Sequence, residues 1–397
     1  MANPERDVII IGAGPSGSRL AFRLARLGYA VLVLDRKEAA GEDICCTGIV
    51  SQQCVDDFGI DDGIILRRAS SAKFVGPSGK YLRFSHDSLV ACILDRPALD
   101  RALAGQARAA GAEYAFTTEV TVVEPGADGV RVRASCPGEE VIFDARAVVL
   151  ANGFGSPLPR RLGMGAIKDV VTGAQARVVI RGVDEVEVYF DRSLAPGGFA
   201  WLVPHNDSSG LAGLLTRYRP EQHLENLLSR LQAQGKIVST EVEREYAAIP
   251  RGSLPLTCAD RVLVLGEAAG QVKPTTGGGI YYGLLCADIA ADCLEAAVNA
   301  SDLSAARLSW YDRQWRARLG REIKVGNRLC RLYQRLGNGN IERLFQFARG
   351  AELPRFISDL EVLPFDWHGA LASKLLKYLA INAPLRAAGN LLTRGRR

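Results

Sequence analysis

Asp7-Val-Ile-Ile-Ile11-Gly12-Ala-Gly14-Pro15-Ser16-Gly17 is followed by an apolar-periodic stretch to Leu27, by Gly28, and by the run Ala30-Val-Leu-Val-Leu34 that ends at Asp35. The order is strand, glycine turn, helix, strand, acid, and each part has a mechanical reason. Gly12 permits the tight turn, Gly14 lets the backbone approach a pyrophosphate, and Gly17 lets the helix pack closely on the strand. The helix N-terminus offers free N–H groups and the positive end of its dipole to phosphates. Asp35 falls where a carboxylate can accept hydrogen bonds from an adenosine ribose. A glycine fingerprint with this strand, helix and acid predicts a dinucleotide-binding βαβ unit, open at this point between NAD and FAD.

The same logic recurs late in the chain. Arg261-Val-Leu-Val-Leu265 reads as a buried parallel-type strand. Gly266-Glu267-Ala-Ala-Gly270, Val272-Lys-Pro274-Thr-Thr-Gly277-Gly278-Gly279-Ile280 and a long helical pattern follow it. Such a junction fits a phosphate or flavin edge laid against backbone N–H groups. Between the two clusters lies Asp95-Arg96-Pro-Ala-Leu-Asp100. In that order the three motifs resemble the FAD-dependent hydroxylase and reductase class typified by para-hydroxybenzoate hydroxylase. Within it the chain most resembles the geranylgeranyl reductase family. The matching segments are Cys46-Thr-Gly48-Ile-Val-Ser51, Ala195-Pro196-Gly-Gly-Phe199-Ala-Trp201-Leu-Val-Pro204, Ile249-Pro250-Arg-Gly252 and Val272 to Gly283, and the likeness runs from residue 5 to about 345.

That resemblance implies FAD as cofactor and a set of site residues. Pro15, Ser16 and the glycines would hold the diphosphate, with Asp35 on the ribose and Arg36 beside it. Cys45, Cys46 and Gly48 would lie near the isoalloxazine. Arg96 and Val120 would complete the shell, with Gly266, Glu267, Gly278, Gly279 and Ile280 on the ribityl and ring side. Phe199, Trp201, Pro204 and Tyr282 would meet the substrate. The chain departs from the family twice. Glu267 stands where Asp is usual, keeping the charge but moving it by one methylene. In the usual P-x-x-Y-x-W-x-F-P signature, Phe199 lacks the tyrosine hydroxyl and Val203 is smaller than the usual Phe.

Between the cofactor motifs, short alternating runs at Glu119 to Val123, Gly129 to Ala134, Val141 to Phe143 and Ala147 to Leu150 read as a meander on the cofactor sheet. It ends at Ala151-Asn152-Gly153, where flavin hydroxylases of this class usually carry Asp-Gly. A second set, Gly173 to Ile180, Glu185 to Phe190, Gly198 to Val203 and Gly210 to Leu215, predicts an antiparallel sheet joined by a hairpin near Phe74 to Phe84. It would roof the flavin, with Phe199 and Trp201 on one strand face because they are two apart. A helical stretch follows from Leu303 to Leu336. The expected architecture is therefore α/β. A Rossmann-type FAD-binding domain takes 1–70, 85–170 and 253–300, and an antiparallel β-sheet substrate domain takes 71–84 and 171–252. A C-terminal helical region with a basic tail takes 301–397.

Composition bounds the rest. The 397 residues are 48% hydrophobic and 23% charged, which excludes a disordered chain. The net charge of +5 is localised: Ala370 to Arg397 hold six basic residues and no acid, leaving 43 basic against 44 acidic residues elsewhere. Basicity confined to one segment does not point to nucleic acid. Lys374 and Lys377, mixed with Leu371, Leu375, Leu376, Leu379 and Ile381, suit peripheral contact with a membrane. The apolar stretch Gly277 to Val298 is broken by Asp288, Asp292 and Glu295 and reads as an amphipathic helix. With the first strand starting close to Met1, a cytoplasmic location is expected. Nine cysteines without a C-x-x-C pair argue against disulfides, zinc or an iron–sulfur cluster, and no metal is expected.

With four histidines and no convincing Ser-His-Asp set, the cofactor must carry the hard step. By the resemblance, that step is reduction of C=C bonds in an isoprenoid chain of a lipid, quinone or similar prenylated substrate. The electron donor, NAD(P)H or a protein such as ferredoxin, is left open. A proton must be supplied opposite the hydride, and Cys46, then Tyr281 or Tyr282, are the candidates. The competing readings are a flavin monooxygenase and a membrane-surface flavin carrier of electrons to quinone.

Overall fold

The computed structural model describes residues 6–361 and 363–380, and over these the chain forms two compact units. One takes the described residues up to Ile65, with Leu94–Val171 and Ala247–Asn327; the other takes Leu66–Ile93, Thr172–Tyr246 and those from Arg328 onward. The expected separate C-terminal helical region is therefore divided, and the boundary falls inside the helix Ala305–Tyr333.

The first unit is built on a sheet of the order Cys258–Ala259, Val262–Val264, Glu139–Leu150, Arg6–Ile11, Val31–Leu34, Glu113–Ala115. Arg6–Ile11 lies parallel to Glu139–Leu150 on one side and to Val31–Leu34 on the other, so Ile11 stands level with both Leu150 and Leu34. This register brings three strand ends, and the loops after them, to one edge. The strands carry unbroken apolar runs because both faces are covered, and Ile9, Ile11, Leu32, Leu34, Val148 and Leu150 form the core. The two short strands expected at 141–143 and 147–150 are one, Glu139–Leu150: its first half pairs with the meander strand Val130–Cys136 and its second half with the parallel sheet.

The two aspartates that interrupt the late apolar stretch have partners. Helix Ile280–Asn299 packs on helix Pro15–Arg26, where Asp288 binds Arg19 at 2.8 Å and Asp292 binds Arg23 at 2.8 Å. Among the described residues no helix is long and apolar enough to cross a membrane.

The second unit holds a seven-stranded sheet in the order Arg244–Pro250, Val170–Val179, Ser209–Thr216, Ala200–Pro204, Val186–Tyr189, Ser71–Val75, Tyr81–Ser85. The hairpin joins it in parallel, Val186–Tyr189 against Ser71–Val75, not antiparallel as expected, because its strands come from a distant part of the chain and not from a turn. One face is covered by helix Pro220–Ala233, absent from the sequence reading. Its Leu224, Leu227, Leu228 and Leu231 recur at helical spacing and pack on Ala174, Ala176, Ala200 and Ala212. Alanines on that face let the helix approach closely, and Leu202, Leu214 and Tyr189 fill the rest of it.

Candidate functional site

The glycine turn of the first unit is a backbone device. Gly12 follows the first strand, donates its N–H to Leu34 O at 2.8 Å and takes φ +113°. A Cβ there would lie 2.4 Å from Ala151 O, and one on Gly17 would lie 1.9 Å from Gly12 O. Gly14 differs, since a Cβ on it would meet nothing within 4 Å. That open space faces a helix N-terminus with Gly14 as N-cap, Pro15 in its first turn and no side-chain cap, so its first N–H groups have no intrahelical partner. Asp35 closes the turn: Oδ2 accepts from Ala13 N at 2.7 Å and Oδ1 from Lys37 N at 2.9 Å. Each carboxylate oxygen keeps a second lone pair for a ribose hydroxyl. Arg36 beside it is exposed.

The late glycine cluster meets this turn directly. Ser16 Oγ lies 2.8 Å from where a Cβ on Gly266 would stand and 2.2 Å from one on Gly283, so both glycines make room for it. Gly279 is the N-cap of helix Ile280–Asn299, again without a side-chain cap, which adds a second helix N-terminus. Gly278 is confined by Lys273, whose Cε would lie 2.8 Å from its Cβ. Two residues not singled out in the sequence as site residues belong here. Gln271 accepts from Gly266 N at 2.7 Å and donates to the Tyr311 hydroxyl at 2.8 Å, fixing the start of the cluster. Asn152, whose Cα would be 2.8 Å from a Cβ on Gly12, has a buried Oδ1 with no partner. Two uncapped helix ends, a cradle that a single methyl would fill and an orphaned acceptor fit the diphosphate and polar edges of FAD.

Next to this cradle lies a small charged group. Gly48, at φ +72°, has no room for a side chain: a Cβ would meet Leu94 O at 2.4 Å and Arg96 Cγ at 3.3 Å. Its N–H points to Cys46 Sγ at 3.4 Å. Asp95 caps helix Arg96–Ala109 through Ala98 N at 3.0 Å, which sets Arg96 in the first turn. The Arg96 side chain is 11% exposed, pairs with Asp100 at 3.0 Å and leaves Nε buried without a partner. Burial works against its charge, but the neighbouring Cys46 and Asp100 hold the guanidinium above its ordinary pKa. Burial likewise pushes the Asp100 carboxyl up, and Arg96 draws it back. Glu267 is exposed at its surface. Crowding by the surrounding protein pushes its carboxyl above the ordinary value, and Arg96 opposes the rise.

Other expected site residues are placed differently. Tyr281 donates its hydroxyl to Asp57 Oδ2 at 2.6 Å and packs edge-on against Phe58 at 5.9 Å, so its proton is committed to a contact between two helices of the frame. As a proton donor, Tyr281 would have to give up that bond. Tyr282, like Tyr281, is 2% exposed and forms core. Val120 turns its side chain into the core of the first unit, next to an irregularity in strand pairing. Cys45 and Cys46 are partly exposed thiols, and Ile280 opens its helix.

In the second unit, Phe199 and Trp201 share a face, with rings 5.8 Å apart. Trp201 lies across Gly213 on the neighbouring strand, where a Cβ would fall 2.5 Å from its ring. Phe190 extends the row, 6.1 Å from Phe199, 5.4 Å from Phe74, and 6.0 Å from both Tyr333 and Phe345. The Trp201 Nε1 and Tyr333 hydroxyl are buried without partners, and burial pushes the Tyr333 hydroxyl up to about 12. Strand alternation puts Pro204 with Leu202 on the opposite, helix-covered face, away from Trp201. Phe190 and Phe345 carried no motif, and only their contacts reveal them.

Comparison with known proteins gives a consistent set of matches. The profile of the FAD binding domain family matches residues 5–250, and one described as lycopene cyclase protein matches residues 215–356. Digeranylgeranylglycerophospholipid reductase 1 of Methanothermobacter thermautotrophicus is 33% identical, over 80% of this chain and 84% of its own. The digeranylgeranylglycerophospholipid reductase of Methanocaldococcus jannaschii is 26% identical, over 89% and 94%. The crystal structure of a geranylgeranyl bacteriochlorophyll reductase-like protein from Thermoplasma acidophilum superposes with a TM-score of 0.82 at 21% identity, covering 96% of this chain and 99% of that one. A flavin-dependent brominase superposes at 0.69 and 16% identity over 96% and 99%, so the fold by itself does not choose the reaction.

Proposed function

This chain belongs to the FAD-dependent geranylgeranyl reductase family, and from that premise we propose that it saturates C=C bonds in the prenyl chains of a membrane lipid of the digeranylgeranylglycerophospholipid kind. It is an FAD-dependent oxidoreductase, and the observation that carries the substrate reading is the 33% identity to such a reductase over 80% of the chain. FAD, when bound, supplies the hydride. The residues of the chain do the remaining work: the two glycine clusters hold the diphosphate, Asp35 holds the ribose, and Cys46 gives the proton opposite the hydride. Arg96, between Cys46, Asp100 and Glu267, keeps that corner polarised. Phe190, Phe199, Trp201 and Tyr333 take the apolar chain. NAD(P)H or a small redox protein reduces the flavin. The C-terminal tail was expected to touch the membrane; residues 381–397 lie outside the described ones.

Anaerobic incubation of the dithionite-reduced holoenzyme with a panel of prenyl lipids, read by mass spectrometry, should show gains of two hydrogens per bond. A hydroxylated product that needs oxygen would establish the monooxygenase reading instead, and quinone reduction with no change in prenyl mass the electron carrier. Undiminished turnover in Cys46→Ala, with normal FAD content, would remove Cys46 from the proton path.

A further inference from the structure

The end of helix Ala305–Tyr333 and the helix Asn338–Gly350 carry a surface that neither the flavin frame nor the aromatic row uses. Leu329 and Leu332 lie three residues apart in the first, Leu344 and Phe347 three apart in the second, so each pair shares a helix face. All four are exposed, Leu332 at 60%, Leu344 at 50% and Phe347 at 51%. Single exposed leucines need no explanation, but an exposed apolar pair on each of two consecutive helices is the kind of feature that marks an interaction site. The second helix is anchored separately, by buried Ile341 and by Phe345 against Phe190, so its exposed pair is not needed to hold it.

The charge on the same stretch has one sign. Arg328, Arg331, Arg335 and Arg343 are exposed, and among the described residues none has a carboxylate at ion-pair distance. The only acid between Arg328 and Arg349 is Glu342, which accepts from Ser78 N at 3.2 Å. Four exposed apolar side chains among four unpaired guanidinium groups match the interface of an anionic bilayer, where apolar side chains enter the acyl boundary and arginines meet phosphates.

We propose that this surface, at the end of the first helix and along the second, docks the protein on a bilayer rich in anionic phospholipid. The proposal rests on the reading of the substrate as a prenyl lipid, which resides in that bilayer. An acidic protein partner would satisfy the arginines but would offer less to Leu332, Leu344 and Phe347, so the bilayer is the occupant that uses both halves of the pattern.

The test is co-sedimentation of the FAD-loaded full chain with vesicles of phosphatidylglycerol and phosphatidylcholine, and with phosphatidylcholine alone. The protein should partition onto the anionic vesicles, weakly onto the neutral ones, and less as salt rises. Each basic side chain near an anionic surface contributes about fivefold, so Arg331→Ala/Arg335→Ala should weaken partitioning by about 25-fold. Leu344→Glu/Phe347→Glu should remove it, and Leu344→Ser/Phe347→Ser serves if the glutamates disturb the fold. Flavin content and turnover on detergent-dispersed substrate should stay unchanged in all of them. Wild-type binding to vesicles by both pairs, or equal binding of the wild type to neutral vesicles, overturns the proposal. Intact vesicle binding with a lost rate from an acidic electron-donor protein would assign the surface to that partner. If detergent-dispersed prenyl lipids are not reduced at all, the substrate reading fails, while the vesicle result still decides the surface.

Discussion

The two units build their binding surfaces from different material. In the first, the site is backbone: positive-φ glycines, two uncapped helix ends and approaches of 1.9 to 2.8 Å that leave no room for a methyl group. In the second, it is a row of rings at 5.4 to 6.1 Å on one face of a sheet whose other face packs alanines, leucines and Tyr189 under a leucine helix. A backbone cradle tolerates nothing and fits the part of a ligand that never varies. Packed rings yield by rotation, and they suit an apolar chain whose length and unsaturation differ between substrates. Substitutions should therefore act in an all-or-none manner in the first unit and by degrees in the second.

The largest effect is expected at Gly17. Alanine there puts Cβ 1.9 Å from Gly12 O, a backbone atom that cannot step aside, so Gly17→Ala should yield protein without flavin, read from the absorbance of the purified chain. Gly14→Ala is the matched control, because its Cβ meets open space. The apo protein should keep its melting temperature while FAD affinity falls about tenfold, the methyl occupying room for the diphosphate. If both variants hold FAD equally, the cradle is not where the diphosphate lies. Somewhat smaller is Arg96→Met, which leaves the Asp100 carboxylate buried without its cation. Removing one partner of such a pair costs about 3 kcal/mol, visible as a lower midpoint in urea.

The contrast also explains what was legible in the sequence. Gly12, Gly17 and Asp35 could be placed by number because a backbone requirement leaves one acceptable residue at a fixed spacing; neither glycine has room for a methyl group, and Asp35 accepts from Ala13 N. The convergence of Ser16 with Gly266 and Gly283 followed from two motifs belonging to one site. The aromatic row was only half visible: Phe199 and Trp201 came from alternation within one strand, but Phe190, Phe74 and Phe345 arrive from other strands and a helix, and no local pattern joins them. Gly213 makes room for Trp201, which lies across it from the next strand. Tyr281 was marked as a donor because a tyrosine follows a glycine run, but its hydrogen bond to Asp57, far away in sequence, has no local signal. The parallel entry of the hairpin was likewise invisible, since strand direction depends on where the chain has been and not on which residues it contains.

Gly213→Ala tests the graded half of the comparison. Its Cβ would stand 2.5 Å from the Trp201 ring, an obstacle that a rotating side chain can avoid. The expected outcome is a rise in KM for prenyl substrate of about tenfold, the order set by losing one well-packed aromatic contact, with FAD content unchanged. Loss of flavin in this variant would break the comparison, because it would tie the aromatic face to the cradle.

The smallest effect concerns Glu267, whose raised carboxyl should leave a signature in stability. Its folded carboxyl lies above the ordinary value, burial being the cause and Arg96 opposing it. Above an ordinary glutamate pKa, the unfolded chain has already released this proton while the folded chain still holds it. The unfolded state then binds fewer protons, so stability falls as pH rises from about 4.5 through the folded value, the reverse of an ion-paired carboxylate. Glu267→Gln cannot ionise and escapes this loss. Melting temperatures of the apo forms should coincide near pH 4 and separate in favour of the glutamine variant as pH rises, levelling once the folded carboxyl has also ionised. A separation of the opposite sign would mean that Arg96 outweighs desolvation, and Glu267 would then act as an ion-pair partner of that arginine.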